Sequence, residues 1–233
     1  MFCFVDYRIS DLEKNTLEKL NLNIIKIPKC NTLYDAINGH VDIQVHILDK
    51  ESKSILINKN MPFEFKKNLS NLKINFVESY SDLGKSYPFN IGLNAFSLNN
   101  YFIHNLKYTD KNLLLFQESK ELINVKQGYT KCSCLPISET AFITNDKGLY
   151  KALSKYNFDI LYLPPGDIIL DGFDYGFIGG TAGLIDDNTI AFFGHLDFYK
   201  HGDSVKDFLN KYNVKPIYLK NDKLTDRGSL FVI

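Results

Sequence analysis

Two sets of short strings, each recurring five times, constrain this chain more than any other feature of its sequence. The first set covers residues 20–25, 72–77, 122–125, 156–161 and 212–217, where a helix exit leads into alternating apolar residues. Asn tolerates the left-handed backbone that ends helices, and the alternation fits a strand. The second set lies between the first, at residues 42–47, 92–97, 138–143, 179–184 and 227–232. Each of its strings places a small or polar residue (Gln44, Asn94, Thr140, Thr181 or Ser229) before a compact apolar run. Those five residues are separated by 50, 46, 41 and 48 positions, a period that points to a repeat architecture.

Helices fit between the two sets. Ser10-Asp11-Leu12-Glu13 is a capping box, in which hydroxyl and carboxylate satisfy each other's backbone donors. Residues 146–156 carry Leu149, Ala152, Leu153 and Tyr156 at helical spacing, and residues 204–212 do the same with Val205, Phe208, Leu209 and Tyr212. Weaker helical patterns cover 62–72 and 118–122. Leu98-Asn99-Asn100 and Asp186-Asp187-Asn188 are turns that lead into second strands. Each unit therefore reads strand, turn, strand, helix, strand. The final unit lacks its helix and outer strand, and residues 1–27 supply an opening strand, the capped helix and a closing strand. The expected fold is α/β: a five-fold pseudo-symmetric α/β propeller, one domain over residues 1–233, whose termini jointly complete the fifth unit. Closure removes exposed sheet edges.

Composition removes other classes. Of 233 residues, 45% are hydrophobic, enough to bury a core, and 27 basic residues balance 27 acidic ones. Disorder would need fewer apolar residues or unbalanced charge. Nucleic-acid binding would leave a basic excess. No apolar run reaches the roughly 18 residues of a spanning helix, and the first residues lack the basic and apolar regions of a signal peptide. Cysteines at 3, 30, 132 and 134 are too sparse for a disulfide scaffold, so reduced thiols and a cytoplasmic location are expected.

A ring of this kind resembles the pentein, or guanidino-group-modifying enzyme, fold. The chain is similar to a bacterial branch of that superfamily to which the resemblance attaches no defined reaction. The resemblance implies a hydrolase or transferase acting on a guanidino, amidino or related C–N bond of a small polar, cationic molecule. It also implies a central site that combines a Cys nucleophile, a His base and carboxylates that hold the cation. In that family the His and one acid often occur as His-x-Asp after Gly, and Gly39-His40-Val41-Asp42 matches the pattern just before the first unit's core strand. His40 is accordingly assigned as proton shuttle and Asp42 as cation-binding acid. A second copy, Gly194-His195-Leu196-Asp197, is out of register with the repeat. The family's nucleophilic Cys lies in the last unit, whereas this chain ends without one and has Ser229 at the small-residue position. That departure keeps an alternative open: a non-catalytic pentein-fold binding protein, similar to the ribosome-binding anti-association factor of the same architecture.

Lys131-Cys132-Ser133-Cys134 offers another thiol. Alternate residues of an extended segment face one way, and a thiolate needs a nearby His or positive charge. Cys132 is assigned as nucleophile; the competing reading is a pair of buried small apolar residues. Glu139, within the third unit's inner string, is assigned as a further catalytic acid that pairs with a cationic group, or else as a salt-bridge residue. Gln44, Asn94, Thr181, Asp226 and Ser229 are assigned to substrate binding; Asp226 and Arg227 otherwise form a turn. The glycines of residues 176–183 lack the Lys-Ser/Thr of a phosphate loop and point to backbone crowding at the ring's centre. Cys-x-Cys is not a structural zinc spacing. No cofactor or metal is expected, and neither is a nucleic-acid or membrane partner. A homodimer or a protein partner is left open.

Overall fold

The structure, a computed structural model, describes residues 1–98 and 100–233. The turn expected at Leu98-Asn99-Asn100 includes Asn99, which lies outside the described residues. The chain opens with β1 (Phe2–Asp6), α1 (Asp11–Glu18) and β2 (Asn23–Ile27). A first unit follows: α2 (Val41–Gln44), β3 (Val45–Asp49), β4 (Ser54–Ile57), α3 (Phe63–Asn71) and β5 (Asn75–Glu78). The second comprises β6 (Phe96–Leu98), β7 (Tyr101–His104), α4 (Lys111–Leu115) and β8 (Glu121–Asn124). The third comprises α5 (Thr130–Ser133), β9 (Cys134–Pro136), β10 (Ala141–Thr144), α6 (Lys147–Leu153) and β11 (Asp159–Tyr162). The fourth begins with a 3-10 turn at Ile178–Gly180 and continues through β12 (Ala182–Asp186), β13 (Thr189–Phe192), a 3-10 turn at Leu196–Phe198, α7 (Gly202–Lys211) and β14 (Lys215–Tyr218). The chain ends in β15 (Phe231–Val232).

These strands form five separate three-stranded sheets of one design. In each, the inner strand is antiparallel to the middle strand, and a helix carries the chain to a parallel outer strand. The fifth sheet pairs β15 antiparallel with β1, and β1 parallel with β2, so both termini build one unit. Five apolar clusters close the ring, one at each junction between neighbouring sheets. Leu56 and Phe102 join the first and second units, Phe96 and Phe142 the second and third, and Leu135 and Phe192 the third and fourth. Val5 and Ala191 join the fourth and fifth, and Phe4 and Ile57 the fifth and first. Alternation sends successive residues of a middle strand to opposite junctions: Phe4 faces one neighbour, Cys3 and Val5 the other. Among the described residues no helix is long and apolar enough to cross a membrane.

Local signals behave as their chemistry requires. Ser10 and Glu13 form the reciprocal capping box of α1. Asn21 and Asn213 leave their helices with φ of 60° and 56°, and Lys73 takes that role after α3 with φ 57°. Two expectations are corrected. Residues 118–122 are not helical; β8 begins at Glu121, and the helix is α4, which begins ten residues upstream of that strand and is capped by Asp110. The inner strand of the third unit is β9, so residues 138–143 comprise the outer turn and most of β10. A middle strand in these units shows the same polar-then-apolar pattern as an inner one, and β9, three residues ending in Pro136, carries a weaker pattern than its neighbour.

Candidate active site

The segments that lead into the inner strands meet at the centre of the ring and exchange hydrogen bonds. Asn94 ties three of them together. Its Nδ2 donates to the Asp42 carbonyl at 3.0 Å, and its Oδ1 accepts from the backbone N–H groups of Lys131 at 3.0 Å and Cys132 at 3.2 Å. The Cys132 thiol donates to Asp42 Oδ2 at 3.0 Å. Lys131 Nζ donates to Ser229 Oγ at 2.9 Å and to the Gly179 carbonyl at 3.3 Å. Ser229 then has one proton and two acceptors, Asp42 Oδ2 at 2.8 Å and Gly179 O at 2.6 Å. This network joins the fifth unit to the first, third and fourth.

His40 precedes α2 and is buried, with no hydrogen-bond partner on either ring nitrogen; Asp42 Oδ1 is likewise unpartnered. His40 Nδ1 lies 3.9 Å from Asp226 Oδ1. Backbone N–H groups of Phe177 at 2.8 Å and Gly228 at 3.0 Å hold the Asp226 carboxylate. Donor atoms of His40, Asp42 and Cys132 all lie within 4.8 Å of one another. Among the described residues this is the one cluster of that kind, and the same three donors are those that could hold a divalent ion. Glycine makes the approach possible. A Cβ on Gly180 would collide with the Asp226 carboxylate, and one on Gly179 with the carbonyls of Lys131, Cys132 and Cys134. Gly228, at φ +67°, would drive a Cβ into His40.

Burial sets the charge states. Desolvation lowers the pKa of His40 against the opposing pull of Asp226, so the imidazole is neutral at rest. Burial raises the Asp42 carboxyl, and Lys131 pulls it back. Lys131 is lowered by burial, with Asp42 and the Cys132 sulfur resisting. Cys132 is pushed well above the ordinary thiol range by burial and then by the carboxylates of Asp42 and Asp226. Cys132 is therefore a thiol at rest, donating to Asp42.

Above these residues opens a cavity of about 320 Å³. Cys132, His40 and Asp226 reach it, and its walls come from Tyr34, Ile37, Ile43, Tyr129, Leu170, Phe173 and Phe177, with Asp174 and Tyr175 also lining it. The structure thus brings together His40, Asp42 and Cys132, with Asp226, Asn94 and Ser229 around them. It does not bring in the other assigned residues. Glu139 is exposed in the outer turn between β9 and β10, because the third unit's inner strand lies upstream of it. Gln44 is turned toward residues 28–38, donating to the carbonyls of Pro28 at 3.1 Å and Asn38 at 3.0 Å. The Thr181 hydroxyl closes its own 3-10 turn on Ile178 O at 2.7 Å. His195 accepts from the Asp197 N–H at 3.1 Å, and Asp197 is exposed and paired with Lys206. Sequence reasoning missed the reach of Lys131 to Ser229, although a lysine inside a buried segment was its visible signal. It also missed the aromatic wall, whose members come from loops of different units and share no motif.

The sequence profile of a family of unknown function, DUF6873, matches residues 4–231. No protein of curated function matches the chain in sequence. Solved structures match it in fold. An amidinotransferase of saxitoxin biosynthesis from Microseira wollei aligns with 92% of this chain and 73% of its own, at 10% identity and TM-score 0.54. The inosamine-phosphate amidinotransferase of Streptomyces griseus aligns over 92% and 74%, at 8% identity and TM-score 0.51. The dimethylarginine dimethylaminohydrolase of Pseudomonas aeruginosa, solved as a Cys-to-Ser mutant with citrulline, aligns over 93% and 91%, at 9% identity and TM-score 0.53. At such identities the likeness is one of fold, and that fold is the pentein ring.

Proposed function

The chain belongs to the DUF6873 family, and from its central site we propose that it is a thiol-dependent enzyme that cleaves or transfers a C–N bond of a small guanidino or amidino compound. The observation that carries this reading is the convergence of the His40, Asp42 and Cys132 donor atoms within 4.8 Å beneath a cavity open to ligand. The similar folds of two amidinotransferases and a dimethylarginine hydrolase support the substrate class.

In this mechanism the Cys132 sulfur attacks the central carbon of a bound guanidinium. Its proton, held toward Asp42 at rest, passes through neutral His40 to the departing nitrogen, and the C–N bond breaks with loss of an amine. The thiouronium adduct keeps the substrate's positive charge beside Asp226 and Asp42. Water loses a proton to His40 and adds to the same carbon. The C–S bond then breaks, sulfur takes the proton of the new hydroxyl, and a ureido product leaves. His40 returns its proton to the released amine. An acceptor amine in place of water gives amidino transfer by the same steps.

The test is thiol labelling joined to turnover. A haloacetamidine, which is cationic, should alkylate Cys132 at least ~10-fold faster than the neutral haloacetamide of equal size, since the carboxylates concentrate a cation at a thiol that is otherwise protonated. Cys132→Ala and His40→Ala should each abolish amine release from a panel of guanidines and amidines. Equal labelling by both reagents, or turnover by either variant at the wild-type rate, refutes the proposal. Binding without turnover by the wild-type chain supports a binding protein instead.

A further inference from the structure

We infer that the cationic head of the substrate is carried on a tail that lies against aromatic rings and bears no carboxylate. This inference rests on the reading above and narrows it. The floor of the cavity, formed by Cys132, His40 and Asp226, takes the head. Whatever projects from the head must lie against Tyr34, Tyr129, Phe173 and Phe177. Those rings are coupled: Tyr34 and Phe173 have centroids 5.5 Å apart, Tyr129 and Phe177 6.4 Å apart.

The two tyrosine hydroxyls already serve each other. They lie 3.2 Å apart, and Tyr129 donates onward to Asn90 Oδ1 at 3.1 Å. Burial raises the pKa of both phenols, so they stay neutral. What these four rings offer a ligand is therefore faces and edges rather than donors. Ring faces favour cations and apolar groups.

Charge in the lining has one sign. Asp226 and Asp174 are there, and no lysine or arginine is. Lys131 is spent behind Cys132 on Ser229 and Gly179, and Arg227, close enough to depress His40, does not line the cavity. An incoming carboxylate would lose its water against aromatic faces, meet no cation, and stand near two charges of its own sign. A volume of about 320 Å³ is at the small end for a ligand site, so a head and a tail the size of one ring fit its scale.

The experiment compares three compounds that share a guanidinium head: 3-phenylpropylguanidine with an apolar tail, agmatine with a second cation, and arginine with an ammonium and a carboxylate. Binding is measured by calorimetry on the full-length Cys132→Ala variant, and turnover by amine release with the wild-type chain. The phenylpropyl compound and agmatine, neither of which carries a carboxylate, should each bind, and be turned over, at least ~100-fold better than arginine, the scale of leaving one desolvated charge unpaired. Asp174→Arg, which places a cation at the mouth, should strengthen arginine binding at least ~10-fold. Arginine binding as tightly as the phenylpropyl compound overturns the inference, whether or not turnover is seen. Preference for the phenylpropyl compound in binding, without amine release from any of the three, sustains this inference and refutes the proposed reaction. If none of the three binds, both fall.

Discussion

Replacing Lys131 by Met removes the buried ammonium behind Cys132 while keeping an apolar stem of similar size. Lys131 Nζ and Asp42 Oδ2 share the Ser229 hydroxyl, at 2.9 and 2.8 Å. Their separation is therefore at most about 5.7 Å, where Coulomb's law at an effective dielectric near 20 gives about 3 kcal/mol. Breaking one side of a buried ion pair costs ~3–5 kcal/mol, which agrees. Against a total stability of roughly 5–15 kcal/mol, such a loss is plain in a urea melt. The assay is a double-mutant cycle over wild type, Lys131→Met, Asp42→Asn and the double variant. The double variant should regain most of what Lys131→Met loses, with a coupling of about 3 kcal/mol. The pH dependence follows in sign. Burial raises the folded-state pKa of Asp42, and losing Lys131 raises it further. The deficit of Lys131→Met is present at high pH and shrinks as pH falls through the folded pKa of Asp42, below which the acid is neutral in the folded wild type and the folded variant alike. Additive single losses, or a Lys131→Met variant that unfolds with wild type at every pH, would show that the two charges do not depend on each other.

Three further outcomes are expected. His46 and His104 are buried and neutral, His104 with Nε2 3.0 Å from the Gly128 carbonyl, and their pKa values are lowered from 6.5 to about 3 and about 4 by desolvation. Their stabilisation is present above pH 6.5 and is lost as pH falls toward those values. Moving from pH 7 to 5 should cost about 2 kcal/mol for each, and a His46→Gln/His104→Gln variant that keeps the wild-type slope would contradict this. Asn94→Ala should destabilise the chain by about 2–4 kcal/mol in chemical denaturation, because it orphans the buried Cys132 N–H and the Asp42 carbonyl, while the Lys131 N–H keeps the Asn94 backbone carbonyl at 3.1 Å; a loss under about 0.5 kcal/mol would contradict the stitching role. Gly180→Ala should fold, by circular dichroism, yet lose at least ~10-fold in turnover, since the added methyl displaces the Asp226 carboxylate; a kcat equal to wild type would mean that Asp226 does not need its observed position.

Much of the architecture is written locally. All five exit strings became the outer strands β2, β5, β8, β11 and β14, because an apolar alternation after a helix stop acts over a few residues. The Ser10 box closed on Glu13 for the same reason. Closure of the ring was legible because a final unit without helix or outer strand has one complement in the chain, its own N-terminus. Register in the third unit was not, since β9 and β10 compete for one pattern and only pairing across the sheet, Leu135 opposite Ile143, decides between them. The site divides in the same way. His40 and Asp42 stand in one short motif, and Cys132 was visible as a residue type. That Cys132 donates to Asp42, that Lys131 reaches Ser229, and that Ser229 meets Asp42 across 187 positions depends on which faces of remote segments meet. The aromatic wall and the neutral state of His40 also belong to tertiary structure, because packing and desolvation arise only when those segments are assembled.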